Sequence, residues 1–532
     1  MDSTLATRLS LLALLTTILI LVALVFSVGM PINDDAAVYL LCAQRLLDGN
    51  VPYVDYVELN PPLAHYVHIP PVYLARQTGI EPTLIFHILV LVLTLWSAFC
   101  FWRIISKSRV ASTPAGTYLM TSCWVLFSVI VFGEENFGQR EHLFILAFVP
   151  FLFVREARYR DVGLNFLFAL AVGLGAGLFL FLKPYFLFLW VSLELWLTYR
   201  TRRFSALYAI ESLVPLTLGV LYTGHFWLVP PEMRIAYFQR WLPFIFEHYN
   251  VYNADWPRLL LLDSVKQLTI LFTTVACSIV AFSTWKRARQ STRVQIEVVW
   301  LSMTLSFATY FWQSKGWLYH LLPMLGFLVV LLSILIVLTL EIHGAQHSTH
   351  RNLSFKSRLV SVVSAIMIGS FLLIYRVSAN AITFTSTLQP YIEYIVNRTE
   401  GDDRVTFIST NVFPACATLV EARRLSGTRF LAMFPIAMFQ QHAAPDTADT
   451  FSYKKLDDMG IDEKQFLREL GADVIGNKPK LIFIQTSQCQ ACPRSFRIDQ
   501  YLQRCGWVHD NLVDYRMSGT VLDFIVFQRV SS

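Results

Sequence analysis

Eleven long apolar runs recur along this chain of 532 residues, and they limit its fold more than any other feature. A membrane-spanning helix needs about 20 consecutive apolar residues. Only 15% of the residues are charged, against roughly 25% in soluble globular proteins, so much of the chain is expected to lie in lipid. The sequence predicts a polytopic α-helical membrane protein with about 11 transmembrane helices. The predicted helices cover residues 9–30, 83–102, 115–132, 142–154, 163–182, 185–198, 205–229, 264–284, 296–312, 318–340 and 359–378.

Basic residues alternate with the apolar runs in a way that predicts the orientation of the helices. Cytoplasmic loops of membrane proteins are enriched in Lys and Arg. A cytoplasmic N-terminus places every strongly basic loop inside and the acidic first loop outside, and an odd number of helices places the C-terminal residues outside. No small-residue cleavage site follows the first run, so we expect an uncleaved helix. The predicted inside loops carry Arg103, Lys107 and Arg109; Arg155, Arg158 and Arg160; Arg200, Arg202 and Arg203; Lys286, Arg287, Arg289 and Arg293; and Arg351, Lys356 and Arg358.

The net charge of +6 lies mostly in these short loops, which argues against a nucleic-acid partner. We predict an integral membrane protein of the bacterial inner (plasma) membrane, with membrane lipids around residues 1–378. Residues 379–532 read as a soluble α/β domain that is periplasmic or extracellular. Its predicted elements are strands at 404–410, 480–485 and 521–527 and a helix at 457–470.

The eight cysteines divide between these two regions. Those in or near apolar helices are expected to be inert, whereas an oxidising compartment permits disulfides in the outer domain. Spacing does not choose among the possible pairings there. The outer cysteines are Cys416, Cys489, Cys492 and Cys505.

Two adjacent carboxylates, Asp34 and Asp35, follow the first apolar run directly. Ionisable side chains at the membrane are costly and mark a functional site. A carboxylate near apolar surface can act as a general base toward a hydroxyl group, which predicts a catalytic role. The alternative is a helix terminus in which Asp35 or Asn33 caps the helix that begins near Ala36. If Asp35 is the cap, Asp34 is the favoured base.

Five ionisable side chains occupy the very short loop between the third and fourth apolar runs. An arginine and a histidine at the outer face suit a phosphate group, which assigns Arg140 and His142 to donor-phosphate binding. No cofactor is certain, but an acid pair can hold a divalent cation, and Glu134 and Glu135 are the candidates. A salt-bridged surface loop that includes Glu141 is the alternative.

Isolated basic residues also occur at two further outer junctions. Lys183 joins the fifth and sixth runs, and Lys315 and His320 precede the tenth. These three are candidate phosphate ligands, while Tyr319 beside them is a candidate for binding sugar or acceptor. Snorkelling lysines and interfacial aromatic anchors are the alternatives.

The long first outer loop, residues 31–82, contains aromatic, amide and carboxylate side chains that suit a sugar or an acceptor. A packed interfacial loop has the same composition. Tyr39–Leu47 is predicted to be an amphipathic helix in the membrane interface. The candidate acceptor or sugar-binding residues of this loop are Tyr53, Asp55, Glu58 and Asn60.

Together these features resemble the polytopic glycosyltransferases of the C superfamily (GT-C fold), with protein O-mannosyltransferases and the lipid A aminoarabinose transferase as the most similar members. The resemblance rests on Asn33-Asp34-Asp35 after a first helix, the long outer loop, the basic inside loops and an outer C-terminal domain. Gly138-Gln-Arg-Glu-His142 is similar to a second-loop motif of a related bacterial subgroup.

The resemblance implies a donor sugar on a polyprenyl phosphate and an acceptor hydroxyl on a lipid, polysaccharide or protein outside the membrane. A single attack on C1 would invert the anomeric centre. The predicted enzyme is a hexosyl- or pentosyltransferase. Two alternatives remain open: a transporter or flippase of a lipid-linked glycan, and a membrane sensor with an outer ligand-binding domain. Transporters place polar groups at the bilayer midplane, often on broken helices in inverted repeats, whereas these charges lie at one face.

Overall fold

The computed structural model describes residues 3–27, 32–133, 136–262, 265–288, 290–346, 386–440, 451–489, 491–493 and 495–530. The chain forms two compact units that are each assembled from separated segments. The first unit comprises Met1–Gly29, His87–His225 and Ala254–Ala381. The second comprises Met30–Phe86, Phe226–Asn253 and Ile382–Ser532.

The described residues are mostly helical. The helices are α1 Ser3–Ser27, α2 Asp34–Leu47, α3 Leu63–Val67, α4 Ile69–Thr78, α5 Pro82–Ser108, α6 Pro114–Gly133, α7 Arg140–Tyr159, α8 Phe166–Leu180, α9 Pro184–Thr201, α10 Ile210–Gly224, α11 Pro231–Ile235, α12 Leu242–His248, α13 Trp256–Leu259, α14 Val265–Arg287, α15 Gln290–Gln313, α16 Leu322–Gln346, α17 over 386–396, α18 Ala415–Glu421, α19 Phe434–Phe439, α20 Ile461–Asn477, α21 Ile498–Arg504 and α22 Trp507–Asn511.

Six helices of the described residues are long and apolar enough to cross a membrane, or seven when Ile210–Trp227 and Pro231–Tyr252 count as one span. Ten of the eleven predicted apolar runs fall on helices α1, α5–α10 and α14–α16. The eleventh, 359–378, lies outside the described residues. The protein is therefore an integral membrane protein, while a total of about 11 spans stays a prediction.

Helix α7 is buried along almost its whole length in the first unit. Its apolar centre explains the predicted run at 142–154, but the helix extends from Arg140 to Tyr159 and carries charged side chains at both ends. Arg155 was expected in a basic cytoplasmic loop; it lies instead within α7, is fully buried, and is paired with two carboxylates. The partners that compensate its charge come from distant helices, so the local sequence does not reveal them.

Helices α8 and α10 approach each other closely through glycines. A Cβ atom on Gly173 would lie 2.9 Å from the Cα of Glu211, and one on Gly177 would lie 2.9 Å from the Cα of Pro215. Small residues at such a spacing allow membrane helices to pack backbone against backbone. This close contact places Glu211 beside the C-terminal end of α7, where Arg155 binds it.

The second unit contains a five-stranded mixed sheet with strand order β2-β1-β3-β5-β4. Strand β1 pairs in parallel with β2 and β3, and β5 pairs antiparallel with β3 and β4. The predicted C-terminal α/β architecture is thus present. The strands are β1 Arg404–Ile408, β2 Leu425–Ser426, β3 Leu481–Gln485, β4 Tyr515–Val521 and β5 Phe524–Arg529.

One strand prediction is wrong. The apolar run 521–527 was expected to form a single strand, but the chain turns at Leu522 and Asp523, so Val521 ends β4 and Phe524 begins β5. Leu522 has a φ of 47°, a backbone conformation suited to a tight hairpin. Because Leu522 is apolar, the run 521–527 looked continuous in the sequence, although the turn lies within it.

Of the four cysteines after residue 379, Cys489 and Cys492 form a disulfide. Cys416 and Cys505 are buried and form no disulfide among the described residues.

Helix α2 is buried on nearly all sides, contrary to the expected amphipathic helix Tyr39–Leu47 in the membrane interface. The guanidinium of Arg45 donates to the backbone oxygens of Ser426 at 2.6 Å and Thr428 at 3.3 Å. These contacts make α2 a core helix of the second unit.

The proposed division at residue 378 stays a prediction, because residues 347–385 lie outside the described range.

Candidate functional site: a cationic cluster and an acidic motif

Three chain segments of the first unit bring charged side chains together at helix N-termini. Arg140 and Glu141 begin α7, where the side chain of Gln139 accepts a hydrogen bond from the Arg140 backbone N–H at 3.2 Å. Lys183 is the N-cap residue of α9. His320 lies in the turn that precedes α16. We call Arg140, Glu141, Lys183, Lys315 and His320 the Glu141 cluster.

The contacts within the Glu141 cluster centre on its carboxylate. Lys183 Nζ forms an ion pair with Glu141 Oε1, and His320 Nε2 lies 3.9 Å from the same oxygen. Lys183, Arg140 and Lys315 all interact electrostatically with His320. Each of these side chains is at most 9% exposed. Within the described part of this unit, the cluster combines three cations with one carboxylate, and Arg140 and Lys183 lie at positively polarised helix N-termini, an arrangement suited to an anion.

The loop that carries Lys315 is held in a restricted conformation. Ser314 and Gly316 have φ values of 56° and 64°, and a Cβ on Gly316 would lie 2.7 Å from the Cβ of Ala254. The Ala254 backbone N–H also donates to the Ser314 oxygen at 2.8 Å. Burial lowers the pKa of Lys315 to about 8. Because the loop is fixed, Lys315 is presented at a defined position despite the cost of burying its charge.

Tyr319 contacts the same region. Its ring centroid lies 5.4 Å from Lys183 Nζ and 4.4 Å from the His320 ring. Its predicted role in binding sugar or acceptor stays a prediction.

His142 does not belong to this cluster, although the sequence predicted it as a phosphate ligand. Its Nδ1 accepts a hydrogen bond from the Gly138 backbone N–H at 3.1 Å, and its Nε2 lies 3.3 Å from Ser128 Oγ. Both ring nitrogens are therefore used within the protein. His142 holds the turn before α7 in place, so it is corrected to a structural role.

The acidic motif Asn33-Asp34-Asp35 starts α2 in the second unit. Asn33 is the N-cap residue, since its side-chain oxygen accepts from the Ala36 backbone N–H at 2.9 Å. The interpretation of Asp35 as the cap is therefore wrong, and with it the reason for preferring Asp34 as base. Both aspartates occupy the first turn and are half-buried, where the helix dipole favours carboxylates.

Helix α18 contributes the buried Cys416 and the partly buried Glu421 to the surroundings of this motif. Burial raises the pKa of the Cys416 thiol, and the negative charges of Asp34, Glu58 and Asp35 raise it further. Glu421 Oε1 accepts from Thr83 Oγ1 at 2.8 Å and from the Ile32 backbone N–H at 3.5 Å. The chain thus anchors the residue preceding the acidic motif through a glutamate 389 residues away, which no local pattern could have indicated.

Three of the four candidates in the first loop, Tyr53, Glu58 and Asn60, hydrogen-bond to one another. Glu58 is buried and accepts from the Asn60 backbone N–H at 2.8 Å and from its side-chain amide at 2.6 Å. Tyr53 is buried and donates to the Asn60 backbone oxygen at 2.6 Å. Asp55 accepts from the Val51 backbone N–H at 2.7 Å. These contacts favour the packed-loop alternative for all four residues.

A second buried charged group lies at the other end of α7, and the sequence did not predict it. Arg155 donates to Glu194 through two nitrogens, at 2.6 and 2.9 Å, and to Glu211 at 3.0 Å. Arg158 donates to both oxygens of Glu211, and Tyr159 donates to Glu194 at 3.0 Å. We call these five residues the Arg155 network. Its two cations and two carboxylates balance.

The predicted metal ligands Glu134 and Glu135 lie outside the described residues, so a divalent cation stays a prediction. Elsewhere in the described parts of the chain, no group of three or more His, Cys, Asp and Glu side chains is arranged to hold a metal ion.

Comparison with solved structures identifies the fold. ArnT from Cupriavidus metallidurans, in a crystal structure bound to undecaprenyl phosphate, aligns over 99% of this chain and 98% of its own, with a TM-score of 0.51 and 11% identity. Its apo structure covers 97% of both chains, with a TM-score of 0.52 and 10% identity. The chain has the fold of ArnT. The expected GT-C fold is thereby confirmed along nearly the whole chain.

A further similar structure is the archaeal oligosaccharyltransferase AglB from Archaeoglobus fulgidus, in complex with an inhibitory peptide and a dolichol-phosphate. It aligns over 98% of this chain and 74% of its own, with a TM-score of 0.47 and 10% identity. Sequence comparison finds no protein-family profile and no curated protein that matches the chain.

Proposed function

We propose that the protein is a membrane glycosyltransferase that moves a sugar from a polyprenyl-phosphate donor to an acceptor hydroxyl on the outer face of the membrane. The observation that supports this most is the Glu141 cluster. It brings Arg140 and Lys183, which lie at helix N-termini, together with Lys315 from the loop between α15 and α16. The protein shares the fold of ArnT, which was crystallised with undecaprenyl phosphate.

In this proposal the cations of the Glu141 cluster bind the donor phosphate. Arg140, Lys183 and Lys315 stabilise the negative charge that builds up on the phosphate as the bond from its oxygen to the sugar C1 breaks. Low local dielectric makes such preorganised charges more effective than they are in water. His320 lies beside them as a further hydrogen-bond donor or acceptor.

The acidic motif supplies the base. Asp34 or Asp35 takes the proton from the acceptor hydroxyl, whose oxygen attacks C1 while the phosphate leaves with the bonding electron pair. One displacement inverts the anomeric centre and requires no glycosyl-enzyme intermediate. The orientation predicted from the basic loops places the reaction outside and the C-terminal domain in the periplasm or extracellular space.

The test is transfer from a polyprenyl-phosphate sugar by the full-length protein in vesicles, with Asp34→Asn and Asp35→Asn compared with the wild type. A positioned base contributes about 100- to 10,000-fold, so we expect one variant to lose at least 100-fold in kcat while the other loses much less. Asp55→Asn serves as a matched control from the same loop. Full activity in both Asp34→Asn and Asp35→Asn would overturn the base assignment.

The same vesicles distinguish the transporter alternative. A flippase would move the lipid-linked sugar across the membrane without cleaving its phosphate linkage. Release of free polyprenyl phosphate together with a glycosylated product supports transfer, and translocation of an intact donor contradicts it. Glycolipid analysis of cells with and without the protein then identifies the acceptor.

A further inference from the structure

Glu141 has an unusual environment for a buried carboxylate. It is 1% exposed and lies among the cations of the Glu141 cluster. One oxygen, Oε1, contacts Lys183 and is near His320. The other oxygen, Oε2, is buried and has no hydrogen-bond partner among the described residues. A carboxylate that served only to neutralise Lys183 would be expected to use both oxygens.

The Arg155 network shows what a structural ion pair looks like in the same unit. Both oxygens of Glu194 and both oxygens of Glu211 accept hydrogen bonds from Arg or Tyr side chains there. Burying a carboxylate oxygen without such partners costs free energy. Glu141 is therefore a poor stabiliser of the fold but lies where its charge acts on any anion bound by the cluster.

The chemistry of the proposed reaction gives such a charge a use. The donor is a phosphodiester with a single negative charge, whereas the product is a phosphate monoester with about 1.5 to 2 negative charges at neutral pH. A purely cationic site would therefore hold the product more tightly than the donor. A fixed negative charge in the site disfavours binding of the product about twice as strongly as binding of the donor, because the Coulomb energy is proportional to the charge of the ligand.

We propose that Glu141 competes with the lipid phosphate for Lys183 and so promotes release of the polyprenyl-phosphate product. This inference rests on the proposed function and adds a role for a residue that touches the phosphate site without reacting. Donor binding exchanges the Glu141–Lys183 ion pair for a phosphate–Lys183 pair. After transfer, the Glu141–Lys183 ion pair forms again and the polyprenyl-phosphate product dissociates.

The experiment measures binding of undecaprenyl phosphate to the purified full-length protein in detergent, and transfer under single-turnover and steady-state conditions. For Glu141→Gln we expect the dissociation constant of undecaprenyl phosphate to fall by about tenfold or more. The KM for the singly charged donor falls by a smaller factor, about the square root of that change. The single-turnover rate stays near that of the wild type, while steady-state kcat falls because release becomes limiting.

Two variants serve as controls. Glu297→Gln removes a negative charge from α15, where the carboxylate pairs with Arg200. We expect this variant to bind undecaprenyl phosphate as tightly as the wild type does. Glu141→Asp keeps the charge but shortens the side chain, and it tightens binding by an intermediate factor. If Glu141→Gln does not fold, Glu141→Asp decides the question by that intermediate tightening or its absence.

The outcomes separate this inference from the function on which it rests. Tighter product binding with a release-limited kcat supports the role of Glu141. Unchanged or weaker binding of undecaprenyl phosphate by the Glu141 variants overturns that role. If the wild-type protein itself neither binds undecaprenyl phosphate nor transfers sugar, the proposed function is wrong, and the inference that rests on it is wrong as well.

Discussion

The two ends of helix α7 carry buried charges in the same unit, yet their arrangements differ. At the C-terminal end, the Arg155 network pairs two arginines with two glutamates, and every carboxylate oxygen has a partner. At the N-terminal end, Lys183 pairs with one oxygen of Glu141, and the second oxygen lacks a hydrogen bond among the described residues. Arg140 and Lys315 add two further positive charges that act on His320. Arg140 and Arg155 are about 22 Å apart along the helix, given a rise of about 1.5 Å per residue.

This difference distinguishes a structural charge from a functional one. A balanced and fully bonded network holds α7, α9 and α10 together and has no capacity left for a ligand. At the N-terminal end, the described members of the Glu141 cluster are three cations, one carboxylate and His320, a composition that suits an anion. We call this the unbalanced end of α7. Burial alone does not distinguish the two groups, since both are buried. They differ in the balance of charge among their described members and in whether every carboxylate oxygen accepts a hydrogen bond.

The largest expected effect on stability comes from the balanced end. Arg155→Met leaves Glu194 buried without its arginine and removes one of the two arginines that bind Glu211. Breaking a buried pair in this way costs about 3–5 kcal/mol. Thermal unfolding in detergent measures the loss. Arg200→Met is the matched control, because its partly exposed pair with Glu297 contributes about 1 kcal/mol or less.

We expect Arg155→Met to bind undecaprenyl phosphate with the affinity of the wild type. The measurement is made at low temperature, where the variant is folded. A large loss of affinity without a loss of stability would reverse the roles that we assign to the two ends of α7.

A smaller effect is expected from pH at the unbalanced end. Lys315 has a pKa of about 8 rather than the ordinary 10.5 because it is buried. It is charged below pH 8 and neutral above it, so binding of a phosphate weakens as pH rises through 8. Between pH 7 and pH 9 we expect affinity for undecaprenyl phosphate to fall by up to about tenfold, because the charged fraction of Lys315 falls from about nine-tenths to about one-tenth. The phosphate itself is already ionised over this range.

Lys315→Met tests the origin of that pH dependence. Its affinity should start lower at pH 7 and stay flat up to pH 9. The depressed pKa also means that the folded protein gains stability as pH rises above 8, because the folded state then no longer carries a buried charge that the unfolded state tolerates. Weaker binding at high pH therefore does not arise from unfolding at Lys315. A profile that is unchanged in Lys315→Met would assign the titration to another group.

The sequence predicted much of the helical architecture because apolar length is a local property. Ten apolar runs fall on helices, and the sheet strands at Arg404–Ile408 and Leu481–Gln485 were recognised from their apolar, β-branched residues. The same local reasoning failed at Leu522, where a leucine occupies a tight turn that usually favours Gly or Asn.

The candidate site was less predictable because its geometry depends on long-range partners. Arg140, Lys183 and Lys315 were selected as candidates because charged side chains between apolar runs are costly and therefore conspicuous. The function of each depends on residues far along the chain: Lys183 meets Glu141 across 42 positions. His142 was misassigned because the sequence does not show that Gly138 and Ser128 use both of its ring nitrogens.

The central claim is that the unbalanced end of α7 binds a lipid-linked phosphate, and one binding measurement tests it most directly. Undecaprenyl phosphate and uncharged undecaprenol carry the same chain, so their affinities for the wild type and for Lys183→Met isolate the contribution of the phosphate. We predict that the wild type prefers the phosphate by about 10- to 100-fold and that Lys183→Met loses most of this preference. Equal affinity of the wild type for the two lipids, or a preference that survives in Lys183→Met, would contradict the claim.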